Sequence, residues 1–575
     1  MNRNDSSFAT NPTFLDISRS KFKRDCSVKF TGNVGDLIPF FVDEVLPGDT
    51  FNIKTAKVFR LQTPITPIMD NMYLDTYYFY VPNRILWEHW RECMGANYTD
   101  AWTPEVEYSV PQVTAPSGGW NIGTIADYFG IPTGVSGISV SDLPFRAYCM
   151  IYNEWFRDET LADPVYCPLT DSTIAGSNGS TINDPVKGGI PLKVFKYHDY
   201  FTSCLPSPQR GPDVSVPISF SDNLPVMPLD TAFAPSLVRR VDTDYGVNSS
   251  GIQFKNGIPS TGETWPDWPI GNHPVSLQRR SSPLTHTAHL YTQSGTTETS
   301  STPLTMFPNN LYAVPKIGTE VYATVNAMRL AFGIQRLFEK DARSGGGRYT
   351  EIIKAHFGVT SPDARQQRPE YLGGNRLPVN INQVVQQTFV ADDSPIGMTG
   401  AVSLTSDVHG DFSKSFTEHG LIIGLCCVRY NHTYQQGIER LWSRKTRFDF
   451  YWPGLANIGE QAVLNKEIYA SGTSTDAQVF GYQEAWAEYR YKPSRVSGEM
   501  RSSSPISLDV WHLGDDYSSM PTLSSSWKQE DKTNVDRVLS VTSAISNQFF
   551  ADFYIMNETV RPMPLYSIPG LIDHH

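Results

Sequence analysis

Two pairs of side chains in this 575-residue chain have types and a spacing that metal binding or catalysis would use. His286 and His289 stand three residues apart, which on a helix makes half of a metal site. Their surroundings, PLTHTAHLYT, read as loop or strand, where positions i and i+3 point to opposite sides, so exposed polar residues are the simpler reading. Glu484 and Glu488 in YQEAWAEYRY are four apart and on a helix would share a face, as the paired carboxylates of a glycosidase must converge. The plainer alternative is a structural helix with Arg490 as salt partner. Gly345-Gly346-Gly347 follows a helical stretch and leads into Arg348-Tyr349, whereas a phosphate loop follows a strand and ends in Lys-Ser/Thr. Asn431-His432-Thr433 is a chance match to a glycosylation signal, and His574-His575 are terminal and weak as ligands. No nucleophile elbow, Walker loop, Rossmann fingerprint or His-Glu-x-x-His occurs, so neither an enzyme nor a cofactor is expected.

Other residues suit binding. Residues 1–30 form a polar, basic arm with six cationic and three anionic side chains, net +3, in a chain of net −12. Arg19, Lys21, Lys23 and Arg24 in that arm have the chemistry to meet phosphate or a neighbouring subunit; a solvated tail is the bland reading. Arg490, Lys492 and Arg495 interleave with Tyr489 and Tyr491, and Tyr491 could stack on an unpaired base between cations. Structural packing is the competing role. Trp265 and Trp268 offer either a binding platform or a small local core.

The elements that must hold these residues are mostly strands. Charged residues are only 18% of the chain, against roughly 25% in an average soluble protein, while aromatics reach 12%. That composition argues against disorder, and 41 Pro with 42 Gly argue against a coiled coil. A folded chain of 64.4 kDa has a surface of roughly 20,000 Å², and so few charges leave large uncharged areas on it, which burial against other subunits would cover. No apolar run reaches the length of about 18 residues that spans a membrane, and the polar opening MNRNDSSFATNP lacks a signal-peptide core. The seven Cys are an odd, scattered set that suits a reducing compartment.

From residue 28 the texture is β, with a turn at Gly48-Asp49 and an aromatic strand over 73–81. Residues 144–159 carry an apolar face at the helical period, with Asp142 as N-cap. A second helix is expected over 325–343, with Leu330, Ile334, Leu337 and Phe338 in register, and a third over 349–357. The run 420–430 is nearly all apolar, as in a strand buried on both faces. Segments 448–452 and 507–511 read as further strands. Residues 221–318 are rich in Pro, Ser and Thr and poor in charge, an inserted loop-rich segment. The expected organisation is therefore the arm 1–30, a first part of a β core over 31–220, the insertion 221–318, and a helical stretch with the rest of the core over 319–575.

Longer motifs carry a resemblance. Asp43-Glu44-Val45-Leu46-Pro47-Gly48-Asp49-Thr50-Phe51, Tyr80-Val81-Pro82-Asn83-Arg84, Glu339-Lys340-Asp341-Ala342-Arg343 and the run 481–494 are similar to the major capsid proteins of gokushoviruses, single-stranded DNA bacteriophages of the Microviridae. The similarity covers nearly the whole chain except 221–318. It implies a mainly β fold, an eight-stranded antiparallel jelly roll with long loop insertions and a few helices. It also implies copies of the chain tiling an icosahedral shell around circular single-stranded DNA, with 221–318 as a three-fold protrusion that meets the host receptor. Implied partners are an internal scaffolding protein, a pilot protein and a small basic DNA-binding protein, which would supply the cations this acidic chain lacks. The implied location is the virion, assembled in the bacterial cytoplasm. A carbohydrate-binding or glycan-cleaving β-sandwich is the alternative; it needs a carboxylate pair across a cleft.

Overall fold

A sheet with one wet face must alternate apolar and polar residues, and a sheet covered on both faces need not. Both kinds occur here. The computed structural model describes residues 17–96, 107–216, 324–343, 347–387 and 396–567, together with the backbone of short strand segments between 219 and 322. The chain divides into two compact units, Met1–Pro212 with Arg336–His575, and Asp213–Gln335.

The principal elements of the first unit are, in chain order, β1 (Ser20–Lys23), β2 (Cys26–Gly32), β3 (Ile38–Val45), β4 (Thr50–Leu61), β5 (Met72–Pro82), α1 (Leu143–Ile151), α2 (Val325–Arg343, which begins in the second unit), α3 (Tyr349–Phe357), β6 (Glu370–Pro378), β7 (Thr405–Ser415), β8 (Gly420–Tyr430), β9 (Glu460–Leu464), β10 (Val479–Glu484) and β11 (Phe549–Arg561). One antiparallel sheet runs β1–β11–β4–β7, with β2 also on β11; the other runs β6–β5–β8–β3. Inward residues of both sheets share a core that includes Phe40, Phe51, Phe59, Tyr78, Ile422, Phe549 and Phe553. Phe40 packs edge-on against Phe553, with ring centroids 5.0 Å apart.

The five-stranded sheet keeps a solvated outer face. On β11 the residues from Phe549 to Thr559 alternate strictly between buried and outward. The four-stranded sheet is covered on both sides. Along β8, Ile422, Cys426 and Val428 enter the shared core, while Leu421, Ile423, Leu425 and Cys427 enter a second core with Trp87, Trp120, Phe145 and Tyr148. Adjacent Cys426 and Cys427 thus face opposite cores, and all seven cysteines are free thiols.

Several sequence expectations need correction. Residues 20–32 are not a free arm. They pair along β11, with Val28 and Phe30 packed on the core and Lys29 outward, a period of two that the count of charges conceals. The first helix ends at Ile151, and a π-turn over Tyr152–Phe156 follows. Asp142 holds the N-cap position as expected, but its carboxylate makes no capping hydrogen bond and pairs instead with Arg146 at 2.6 Å, both side chains fully buried. Helix α2 has the expected bounds, yet Leu330, Ile334 and Leu337 are exposed, and Ala331 and Ala342 are buried instead. Segments 448–452 and 507–511 are not strands. They contain 3₁₀ turns at Arg447–Asp449 and Asp509–Trp511, the first closed by a Thr446–Asp449 capping box. In the second unit the described backbone is a ladder of short antiparallel pairs, including Val226–Pro228 with Leu311–Ala313 and Phe254–Asn256 with Met306–Pro308. Trp265, Trp268, His286 and His289 lie outside the described residues.

Between β8 and β11 the chain makes a long excursion, pinned at its root by a buried ionic knot. The His432 ring sits between Asp515 at 2.9 Å and Glu530 at 3.0 Å, and is 1% exposed. Asp515 also accepts from Tyr517 at 2.7 Å and from Asn534 at 2.6 Å. Burial alone would lower the imidazole pKa, but the carboxylates of Glu530 and Asp515 outweigh it and raise it to about 9. The protonated ring is therefore stabilised by folding. Its contribution is complete below the unfolded-state value near 6.5 and is lost as pH rises through about 9. Unfolding of the unassembled chain by denaturant should show stability falling by roughly 3 kcal/mol over that window. His432→Gln should be less stable at pH 6 and much flatter in its pH dependence.

Candidate functional site

The four cations of the N-terminal strands divide into two kinds. Arg24 grips Asp43 with both terminal nitrogens at 2.8 Å, and Asn557 donates to the same carboxylate at 3.0 Å. Arg19 donates to the Gly48 carbonyl at 2.7 Å, at a turn where Gly48 has φ +92° and a side chain would strike the guanidinium. These two arginines hold strands together. Lys21 and Lys23 sit opposite Val560 and Glu558 on the outer sheet face. Their ammonium groups lie 2.9 Å from Glu558 and 3.2 Å from Asp25, and both side chains are mostly exposed. Lys21 and Lys23 are the more open of the four to a polyanion, because their partners sit at the surface.

A cavity of about 800 Å³ lies against the same sheet face, lined by Lys29, Arg60, Tyr128, Phe550, Asp127 and Asp552 among others. Its two cations are balanced by two carboxylates, so it has no net attraction for phosphate.

The segment around Glu484 and Glu488 is not a helix. Strand β10 ends at Glu484, Trp486 turns the chain at φ +66°, and a 3₁₀ turn spans Ala487–Tyr489. A bulky residue in the left-handed region is strained. Burial of the Trp486 ring and its indole N–H donation to the Leu455 carbonyl at 2.8 Å hold it there. Glu484 therefore pairs with Arg490, while Glu488 meets Arg444 at 3.3 Å and Arg440 at 3.9 Å. Each carboxylate is occupied by a different arginine, and the two do not face a common cleft. Among the described residues no group of His, Cys, Asp and Glu is arranged to hold a metal ion.

The fold joins the basic run at 490–495 to a stretch that sequence reasoning passed over as a strand. Lys492 pairs with Glu439. The Arg444 guanidinium lies 4.5 Å from the Tyr489 ring centroid and 5.3 Å from that of Phe450, and Arg447 lies 4.7 Å over Phe448. The Tyr451 N–H donates to the Tyr489 hydroxyl at 3.4 Å. Arg490, Tyr491, Lys492 and Arg495 are all exposed beside this stretch. The signal was available in WSRKTRFDFYWP, with five aromatics and three cations in twelve residues and a Thr-x-x-Asp cap that breaks a strand.

Comparison with known proteins decides what these surfaces belong to. A family model described as capsid protein (F protein) matches residues 12–571. The chain belongs to that capsid protein family. It is 40% identical to the capsid protein VP1 of Chlamydia phage 1, covering 96% of each chain. It is 39% identical to the capsid protein VP1 of Bdellovibrio phage phiMH2K, over 99% of this chain and 98% of that one. Against the capsid protein VP1 of Spiroplasma virus 4 the identity is 40%, with 96% of each covered. The gokushovirus resemblance read from the motifs is thus correct. The chain is a structural major capsid protein and not an enzyme, and its site is a set of surfaces.

Removing the two kinds of cation should have different consequences. Arg24→Ala strands the buried Asp43 carboxylate and should lower the unfolding free energy by about 2 kcal/mol. Lys21→Ala and Lys23→Ala, at exposed pairs, should each change it by less than about 1 kcal/mol. Denaturant titration of the unassembled chain checks both.

Proposed function

We propose that this capsid protein closes, with further copies of itself, an icosahedral shell around circular single-stranded DNA. The observation that carries this reading is the near-full-length similarity to three phage capsid proteins. Exposed apolar residues such as Leu330 and Phe332 on α2 agree with it, because a shell subunit keeps such surface for its neighbours.

The fold reading is an eight-stranded jelly roll. Counting β1 and β2 as one strand interrupted at Arg24-Asp25, each sheet has four strands. Every connection but β5 to β6 then passes from sheet to sheet, as two Greek keys require. Insertion 221–318 is the proposed three-fold protrusion and host-receptor contact, with Trp265 and Trp268 as its binding platform.

Lys21 and Lys23 are the proposed contacts to DNA phosphate; the other sequence candidates, Arg490, Tyr491, Lys492 and Arg495, are disfavoured because Arg490 pairs with Glu484 and Lys492 with Glu439. Arg19 and Arg24 serve this surface by holding its strands. A net charge of −12 cannot neutralise a genome. The reading therefore includes a small basic DNA-binding protein, along with scaffolding and pilot proteins, and assembly in the bacterial cytoplasm before the chain resides in the virion.

The test is to sediment a producer-cell lysate, treat the fast fraction with nuclease and image it. A band of about 64 kDa in small shells with protected single-stranded DNA is expected. A chain that stays in small soluble species, with all its neighbours present, would sink the reading. In the same assay Lys21→Ala with Lys23→Ala should leave shell yield unchanged and reduce protected DNA; unchanged DNA content removes those two residues from the genome contact.

A further inference from the structure

The aromatic stretch beside the basic run is too large and too apolar to remain wet. Trp442 is 74% exposed and Phe448 61%, and Phe450, Tyr451, Trp452, Tyr489 and Tyr491 are each about half exposed. Their exposed fractions equal nearly four whole side chains. At about 150–250 Å² for each aromatic side chain, that is on the order of 600–900 Å². One partner in a standard protein interface contributes about 800 Å².

We propose that this face is a docking surface for a second copy of the chain in the shell. The inference rests on the capsid reading above and names the surface that reading needs. Charge decides between a protein partner and nucleic acid. Arg440 and Arg444 lie on Glu488, Lys492 on Glu439 and Arg490 on Glu484. Most of the cations are thus taken up by the chain's own carboxylates, whereas a nucleic-acid surface keeps them open to phosphate. Exposed Leu441 and Ile458 extend the face, and aliphatic side chains offer nothing on which a base can stack. Aromatics with arginine, and little net charge at the centre, are the composition of an interface core.

The face is also set before docking. Tyr451 packs edge-on to Trp486 with centroids 5.8 Å apart and to Tyr489 at 6.1 Å, and the Trp452 indole N–H donates to the Arg447 carbonyl at 2.8 Å. Little ordering is left to oppose association. A closed shell repeats one contact at every equivalent symmetry axis, so one such face per chain acts many times.

The double variant Trp442→Ser with Phe448→Ser tests this, because both rings are exposed and their loss should leave thermal unfolding of the unassembled chain unchanged. In a producer lysate its yield of sedimenting shells should fall at least about tenfold, with folded soluble chain accumulating, and Trp442→Phe should restore most of it. Normal shell yield overturns the proposal. Oxidative footprinting of Trp442 and Trp452 gives a second measurement on wild-type chain: both should be reactive before assembly and protected equally in empty and DNA-filled shells. Protection in filled shells alone assigns the face to DNA, and reactivity in both leaves it in solvent; either overturns the proposal. A wild-type chain that never sediments as shells overturns the capsid reading, and this surface with it.

Discussion

Covering the four-stranded sheet on both faces is the constraint from which the rest of the first unit follows. Water is then absent from both sides of β8, and any polar group on that sheet must find its partners inside the protein. Asp75 on β5 is 2% exposed and has four: Arg376 at 2.8 Å, Arg429 at 2.6 Å, and the hydroxyls of Tyr197 at 2.8 Å and Tyr77 at 3.1 Å. Burial opposes its charge, yet these partners hold the carboxyl below its usual range. Lys57 reaches the shared core from β4 in the other sheet and donates to Thr76 at 2.8 Å and to Asn375; burial pushes its pKa down, against the pull of the Asp411 and Asp407 carboxylates. The sheet tolerates charge only where a complete shell of partners comes with it.

A covered sheet also explains why the connections are long. The second core is built from residues between β5 and the end of the first part of the unit, including Trp87, Trp120, Tyr148 and Val186. Arg146, fully buried, ties that layer together through Asp142 and the carbonyls of Leu86 and Thr170. The excursion after β8 builds a third, small core from Tyr434, Val463 and Phe480 together with Tyr200 and Phe201 from the segment before the insertion. It is fastened at His432, and it presents the aromatic face at its far turns. What look like insertions into a sandwich are the layers that make the sandwich's inner sheet possible.

How much of this the residues disclose depends on whether a signal is local. The strand at 420–430 and the helices at 325–343 and 349–357 were legible to the residue, because apolar runs and helical periods are local patterns. Residues 20–32 were not, because their partner is β11, more than five hundred residues away, and their charges hide the inward Val28 and Phe30. Exposure on α2 was illegible for another reason: an apolar period says that a face will be covered, and not whether the same chain covers it. The carboxylate pair at 484 and 488 misled because Trp486 takes a backbone conformation that no spacing rule anticipates. Of the candidate surfaces, the cations were found by counting, while the separation of Arg19 and Arg24 from Lys21 and Lys23 needed the register.

Low charge and a net acidic balance are awkward for a capsid protein proposed to surround a polyanion, and the arrangement of the few charges bears on that difficulty. Several cations pair with buried or half-buried carboxylates, Asp43, Asp75, Asp142, Glu460, Glu488 and Asp515, where they organise strands and loops. The surface also carries large aromatic and aliphatic side chains, such as Trp442, Phe332 and Leu330. Apolar surface is indifferent to ionic strength, whereas contacts made through exposed charges weaken as salt rises. A subunit that meets its neighbours through rings and aliphatic side chains, as proposed for the aromatic face, makes a shell whose closure depends little on the charge of what it encloses.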